Sequence, residues 1–183
     1  ELHDAIRQDL SEMEHFIDST LAYVRSGSDE PARLVDLAAL LETLVDDACD
    51  TGADVHYAGP ESFPMRLRPA ALTRVVQNLI GNSRRFADRI EVTLAGEEGV
   101  HALIAVEDDG PGIPLEQRSA SLQPFQRLDQ ARGGEAKGAG LGLSIVQRIV
   151  SGQNGSLDLE SSRLGGLRVR IGLPAAPGDA LHD

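Results

Sequence analysis

Four short clusters of side chains have types and spacings that suit the binding of a nucleotide. In the first, Asn78 and Asn82 stand four residues apart and share one face of a predicted helix, with Arg85 and Phe86 following. An amide oxygen suits Mg²⁺, an arginine can pair with phosphate, and a phenylalanine ring offers a flat face to a base. Two asparagines on a helix are more often part of a solvated face, so this cluster has weight only together with the others.

The second cluster follows a predicted strand and reads Asp108-Asp109-Gly110-Pro111-Gly112-Ile113. An ionised carboxylate only accepts hydrogen bonds, which suits the exocyclic amino group of adenine. Gly110 and Gly112 permit a close turn and leave room for a ring. Of the two carboxylates, Asp109 is predicted to face solvent. Standing alone, these residues would rather indicate a plain turn built from Asp, Gly and Pro.

The third cluster is a run of small residues that leads into a predicted helix over residues 141–150: Gly138, Gly140, Leu141, Gly142 and Leu143. Such a run exposes successive backbone amides at a helix start, where the helix dipole also favours an anion, so phosphate binding is predicted. Tight packing is the alternative. The spacing matches neither the P-loop nor the dinucleotide-binding pattern.

The fourth cluster is an irregular stretch between the second and the third, with Arg127, Arg132 and Lys137, the only lysine of the chain. A loop that carries cations beside a phosphate site is expected to act as a lid and to neutralise charge. The alternative is ordinary surface charge on a loop, and Arg118 is assigned to that class.

The elements around these clusters predict one domain with an appended helix. Residues 1–25 lack Gly and Pro and place apolar residues three or four apart, which is typical of a helix in a bundle. The alternative is an amphipathic helix packed on its own domain. Residues 26–31 are predicted to form a linker, residues 32–175 the domain, and residues 176–183 a frayed tail.

Within the domain, the periodicity predicts three helices and two hairpins. The helices are expected at Asp36–Cys49, 69–87 and 141–150, with a short strand near residues 55–57. The hairpins are expected at residues 89–107 and 157–173, with little regular structure from 108 to 140.

Composition narrows the classes of partner. The chain has 183 residues and a net charge of −12, so repulsion from a phosphate backbone argues against nucleic acid. Its 41% hydrophobic and 25% charged residues are typical of a globular domain. No stretch approaches the roughly 20 apolar residues of a membrane span, and a cytoplasmic setting is expected. The single cysteine, Cys49, lies in an apolar helical pattern and is predicted to be buried and inert.

Taken in order, these motifs resemble those of the sensor histidine kinases. The sequence of residues 123–150 is most similar to the EnvZ-type osmosensor branch. The matching segments are Asn78 to Asn82, Asp108 to Ile113, Pro124 to Arg127, Gly138 to Leu143, and the closing pair Gly165-Gly166. The resemblance covers residues 32–175, and residues 1–25 resemble the second helix of the dimerisation and phosphotransfer hairpin. The chain departs from the family in having Ser83 where alanine is usual and Leu122 where a first phenylalanine is common.

The resemblance implies the Bergerat ATP-binding fold, an α/β (α+β) two-layer sandwich whose mixed sheet packs against three helices, here preceded by one bundle-type helix. It further implies that Asn82 binds magnesium with support from Asn78, that Asp108 binds adenine, and that Arg85 approaches the phosphates. By the same resemblance, Phe86 would lie near the adenine or ribose, and the glycines of the third cluster would wrap the triphosphate. Arg127, Arg132 and Lys137 are the least well matched of the assigned residues.

The implied function is transfer of the γ-phosphoryl group of ATP to a histidine, for relay to an aspartate of a response regulator. The ATPases that share this fold have a glutamate at the position of Asn78, and an amide cannot take the proton of an attacking water. His3 lacks the acceptor motif, so the acceptor histidine is expected upstream of Glu1, on a helix of the same parent protein. That parent is expected to be a homodimer anchored in the bacterial inner membrane. The alternatives are a nucleotide-binding regulatory module and a serine kinase or ATPase of the same fold.

Overall fold

The computed structural model describes residues 30–97, 100–124, 126 and 141–174. The predicted bundle helix of residues 1–25 and the predicted tail of residues 176–183 lie outside this part of the chain. The prediction of a linker over residues 26–31 can be compared with the structure only at its last two positions.

A five-stranded mixed sheet forms one layer of the domain. Its strands run in the order β2-β4-β5-β7-β6, with β2 parallel to β4 and the other neighbours antiparallel. The bounds of these strands are β2 Asp54–Ala58, β4 Arg89–Glu97, β5 Val100–Asp108, β6 Ser156–Ser161 and β7 Leu167–Leu173. Both predicted hairpins and the short predicted strand are therefore confirmed.

The helices form the second layer. They are α1 Leu37–Asp50, α2 Pro69–Ser83, α3 Leu115–Ser121 and α4 Gly142–Ser151. Helix α1 contacts β2 and α2, while α2 contacts α4 and β5, and α4 contacts β6. The predicted sandwich is confirmed, and the predicted set of three helices gains a short fourth one, α3. A helix of seven residues is too short to reveal a 3.6-residue period, which explains why the sequence predicted irregular structure there.

A small second sheet pairs two four-residue strands that the sequence analysis did not predict, β1 Arg33–Asp36 and β3 Pro64–Leu67. At the end of β1, the Asp36 carboxylate caps α1 by accepting hydrogen bonds from the amides of Ala38 and Ala39 at 3.0 and 3.3 Å. It also accepts from the Phe63 amide at 3.0 Å and the Ser62 hydroxyl at 2.6 Å. These donors, the Phe63 amide foremost, hold the pKa of Asp36 below its usual value.

The core lies between the two layers. Alternate residues of the central strands face the helices, and every one of them is buried: Ile90, Val92, Leu94, Ala102, Ile104, Val106, Val169 and Ile171. The helices meet them with apolar faces, as the periodicity predicted. The prediction of a buried Cys49 is wrong. This residue is exposed near the end of α1, because its position falls on the edge of the apolar stripe, although its thiol donates to the Val55 carbonyl at 3.3 Å.

The N-terminus of α2 is capped from outside the helix. Arg68 offers no side-chain cap, and Pro69 has no amide hydrogen. The carboxylate of Glu30 accepts instead from the amides of Ala70, at 3.1 Å, and Ala71, at 3.3 Å. The end of the predicted linker thus satisfies two free donors of the helix that carries both asparagines.

Candidate functional site

The Asp108 carboxylate is a buried polar group held by three hydrogen-bond donors. It lies at the end of β5 and is only 6% exposed. Its Oδ1 accepts from the amides of Gly110 at 3.1 Å and Leu167 at 3.0 Å, and its Oδ2 accepts from the Ser83 hydroxyl at 2.8 Å. An ionised carboxylate has about four lone-pair positions, so three bonds leave one available for a further donor.

The neighbouring carboxylate of Asp109 is exposed, as the sequence predicted. It accepts from the amides of Asp88 at 2.9 Å and Arg89 at 3.0 Å, where β4 begins. These bonds, the Arg89 amide foremost, lower the pKa of Asp109 below its usual value. Asp109 therefore ties the start of β4 to the end of β5, and the two adjacent aspartates have different roles.

Glycines allow three backbone segments to meet around Asp108. The amide of Gly166, in the turn between β6 and β7, donates to the Asp108 carbonyl at 3.0 Å. A Cβ on Gly166 would lie 2.5 Å from the Gly110 nitrogen, and a Cβ on Gly110 would lie 2.9 Å from the Phe86 carbonyl oxygen. Gly112 has a φ of +68°, which side chains rarely tolerate. Any side chain at these positions would push the segments apart.

The asparagine face of α2 lies beside the start of α4. The Asn78 side chain donates to the Arg74 carbonyl at 2.8 Å, and a Cβ on Gly142 would lie 3.7 Å from Asn78 Oδ1. Asn82 is half-buried, and no other described residue forms a hydrogen bond with its amide group. Since Ser83 follows Asn82 and bonds to Asp108, the first cluster, the second cluster and the end of the third meet at one place.

Arg85 and Phe86 lie in a turn beyond α2, because the helix ends at Ser83 instead of continuing to residue 87 as predicted. The amides of Arg85 and Phe86 donate three residues back, to Asn82 and Ser83, which tightens the chain. Both side chains are exposed, Phe86 by 45%. The Phe86 backbone lies beside Gly110, and its exposed ring is available to a ligand.

The remaining predicted site residues divide into two groups. Ile113 is partly buried and packs on the core, and Leu141 and Leu143 are buried in it, so the two leucines can offer a ligand only their backbone. Arg127, Arg132, Lys137, Gly138 and Gly140 lie outside the described residues.

The assignment of Arg118 to loose surface charge is wrong. Arg118 lies on α3, and its guanidinium donates to the Ile113 carbonyl at 3.0 Å, the Leu159 carbonyl at 2.9 Å and the Ser161 hydroxyl at 2.9 Å. A rigid guanidinium with several donors suits such a junction. Arg118 fastens α3, and with it the chain that follows Gly112, to strand β6.

The sequence analysis also passed over Glu107, which is 1% exposed. Its carboxylate lies 3.3 Å from Arg168 Nη1 and 3.5 Å from Arg163 Nε, and accepts from the Ser162 hydroxyl at 3.2 Å. Ser162 and Arg163 belong to the turn whose far end supplies Gly166 and Leu167 to Asp108. The residues around Glu107 in the sequence gave no indication that its carboxylate is buried, because its partners, of which Ser162 is the nearest in sequence, are 55 or more residues away.

In residues 30–97, 100–124, 126 and 141–174, no group of three or more His, Cys, Asp or Glu side chains could hold a metal ion. Over the same residues, none of the helices has the length and apolar character to cross a membrane.

The sequence is similar to a known protein family and to two sensor proteins of Escherichia coli. Residues 68–177 match the family described as histidine kinase-, DNA gyrase B- and HSP90-like ATPases. The chain is 33% identical to the sensor protein RstB of Escherichia coli over 93% of its own length and 41% of that protein. It is 40% identical to the E. coli sensor histidine kinase CpxA over 63% of its own length and 25% of that protein. The chain thus spans well under half the length of these relatives.

Among solved structures, the chain resembles the histidine kinase domain of the E. coli osmosensor EnvZ. The two are 38% identical and superpose with a TM-score of 0.61, over 86% of this chain and 97% of that domain. The similarity therefore extends over most of this chain and nearly all of that domain.

Proposed function

The chain belongs to the family of histidine kinase-, DNA gyrase B- and HSP90-like ATPases, on the branch of the sensor histidine kinases, and we propose that it binds ATP and delivers its γ-phosphoryl group to a histidine. The observation that carries this proposal is the Asp108 carboxylate, which is buried and bonded to three donors while keeping one acceptor position. Such a group suits the exocyclic amino group of adenine.

The other described residues fit the rest of a magnesium nucleotide. The half-buried amide of Asn82 has no hydrogen-bond partner among the described side chains, and its oxygen suits Mg²⁺, which takes its other ligands from phosphates and water. Magnesium would supply charge neutralisation between the phosphates. Phe86 offers a ring face for the adenine or ribose, and Arg85 a charge for the phosphates. The start of α4 beside Asn78 offers backbone amides.

Asn78 favours a kinase over a hydrolase. Its amide nitrogen donates to the Arg74 carbonyl, and an amide has no basic atom that could take a proton from water. A nucleophile must then come from another element, and we assign this role to a histidine on a phosphoacceptor helix of the same parent protein. A cytoplasmic setting, a homodimeric parent and a response regulator as the final acceptor belong to the same proposal.

Replacing Asp108 with Asn tests the adenine assignment. The amide would present a donor where the carboxylate presents an acceptor, so the affinity for ATP should fall about tenfold or more in a calorimetric titration. Asp109→Asn is the matched control, because the neighbouring carboxylate bonds to backbone amides outside the site. Equal affinities of the Asp108 variant and the unchanged protein would refute the assignment.

Labelling with γ-labelled ATP tests the reaction. The chain alone should remain unlabelled and release little phosphate, because a site without its nucleophile cannot position the in-line attack. Addition of the phosphoacceptor hairpin of the parent protein should produce a label on histidine that acid removes. An acid-stable label would instead identify a serine kinase, rapid release of phosphate an ATPase, and bound ATP without any transfer a regulatory module.

A further inference from the structure

Ser83 and Asp108 form a buried pair across the site. The two residues are 25 positions apart, each is only 6% exposed, and the Ser83 hydroxyl donates to Asp108 Oδ2 at 2.8 Å. Serines in helices often donate instead to a carbonyl of their own helix, as Ser144 of α4 does with Leu141 at 2.8 Å. The Ser83 hydroxyl is directed out of α2, onto the carboxylate.

This bond restrains the rotation of the carboxylate. The amides of Gly110 and Leu167 bind Oδ1 and the Ser83 hydroxyl binds Oδ2, so a rotation about the Cβ–Cγ bond would strain hydrogen bonds at both oxygens. The bond from Ser83 acts directly on Oδ2 and therefore on the direction of the last lone pair. Orientation of this kind matters because a hydrogen bond weakens steeply when it is misaligned.

The same bond also sets the hydrogen-bonding character of the site. A serine hydroxyl has one hydrogen, and Ser83 uses it on Asp108, so both groups present only acceptors to a ligand. A base edge that presents an amino group matches two acceptors. A base edge with a carbonyl oxygen at that position would place one acceptor against another.

We propose that Ser83 is a specificity-determining residue, which orients Asp108 so that the site selects a 6-aminopurine over a purine with hydrogen or oxygen at position 6. The proposal rests on the proposed function, since it requires that Asp108 contacts the base. Ser83 acts through the carboxylate and is therefore a positioning residue. It stands at one of the two positions where this chain departs from the sequence pattern that the family usually has.

A comparison of two nucleotides tests this role. Ser83→Ala should lower the affinity for ATP about tenfold, because the carboxylate loses the hydrogen bond that directs it towards the amino group. The affinity for the triphosphate of purine riboside, which lacks the amino group, should change less than about twofold. If Ser83 had a purely structural role, Ser83→Ala would lower the affinities for both nucleotides equally. The ratio of the two affinities is therefore the quantity to measure.

Two further variants make the test secure. Ser121→Ala is the matched control, because Ser121 is also buried and its hydroxyl donates to the Arg118 carbonyl of its own helix. It should leave the ratio of affinities unchanged. Ser83→Cys nearly preserves the volume and replaces a strong donor with a weak one, so it should give an intermediate ratio even if the alanine variant folds poorly.

A double-variant cycle separates this proposal from the one on which it rests. In an Asp108→Asn background, Ser83→Ala should have less than half of its effect on ATP affinity, because the group it orients is gone. If Asp108→Asn lowers the affinity for ATP while Ser83→Ala leaves the ratio of the two nucleotide affinities unchanged, only the role of Ser83 is overturned. Should Asp108→Asn itself leave ATP affinity unchanged, both proposals fail.

Discussion

Replacing Gly166 with Ala is expected to lower the affinity for ATP by about a hundredfold and to destabilise the domain by about 3 kcal/mol. The new Cβ would lie 2.5 Å from the Gly110 nitrogen and 2.6 Å from the Asp108 carbonyl oxygen, distances that real contacts do not reach. Both atoms belong to the backbone, so no side-chain rotation can relieve the clash. The turn must move away from β5 and carry with it the Leu167 amide that holds Asp108.

Titration with ATP and thermal unfolding would check both parts of this expectation. Gly81→Ala is the matched control, since Gly81 lies within α2 and a Cβ there would meet no atom of the described residues within 4 Å. An alanine in a helix should raise stability by about 1 kcal/mol. If Gly166→Ala binds ATP as tightly as the unchanged protein, the turn does not hold the carboxylate in place.

The second large effect is expected for Glu107→Gln, which should destabilise the fold by about 3 kcal/mol and lower the melting temperature by about 10 °C. The carboxylate is 1% exposed and lies between Arg163 and Arg168. An amide of nearly the same volume would turn a donor towards one of these guanidinium groups or towards Ser162. The loss comes from unpaired buried groups and not from a cavity.

Glu160→Gln serves as the control for Glu107→Gln. Glu160 lies 3.6 Å from the same Arg168 and 3.3 Å from Arg170, but its side chain is 40% exposed. An exposed pair of this kind contributes about 0 to 1 kcal/mol, so the melting temperature should change by less than about 4 °C. Similar losses in the two variants would show that burial does not distinguish the two carboxylates.

The sequence was sufficient for the features that depend on near neighbours. Hydrophobic period predicted α1, α2, α4 and both hairpins, because burial of one face imposes that period on the chain. Asp109 was predicted to face solvent, and it is exposed whereas Asp108 is buried. Gly110 and Gly112 were predicted to permit a close turn, and Gly112 has a φ of +68°. Ordered motifs then indicated the family, which the family match over residues 68–177 and the similarity to the EnvZ domain confirmed.

The features that the sequence missed depend on partners far along the chain. Arg118 looked like surface charge because its acceptors, Leu159 and Ser161, are 41 and 43 residues away. Ser83 looked like a mild departure from the family pattern until its hydroxyl was found on Asp108. Glu107 gave no sign of its burial.

The tertiary structure decided these points through the order of the strands. Since β5 lies between β4 and β7, the end of β5 meets the turn before β7, and Asp108 and Glu107 find partners in that turn. A local pattern fixes which face of a strand or helix is apolar, because that depends on the period of the chain alone. Which polar group satisfies which buried partner depends on the packing of distant segments, and only the folded chain determines it.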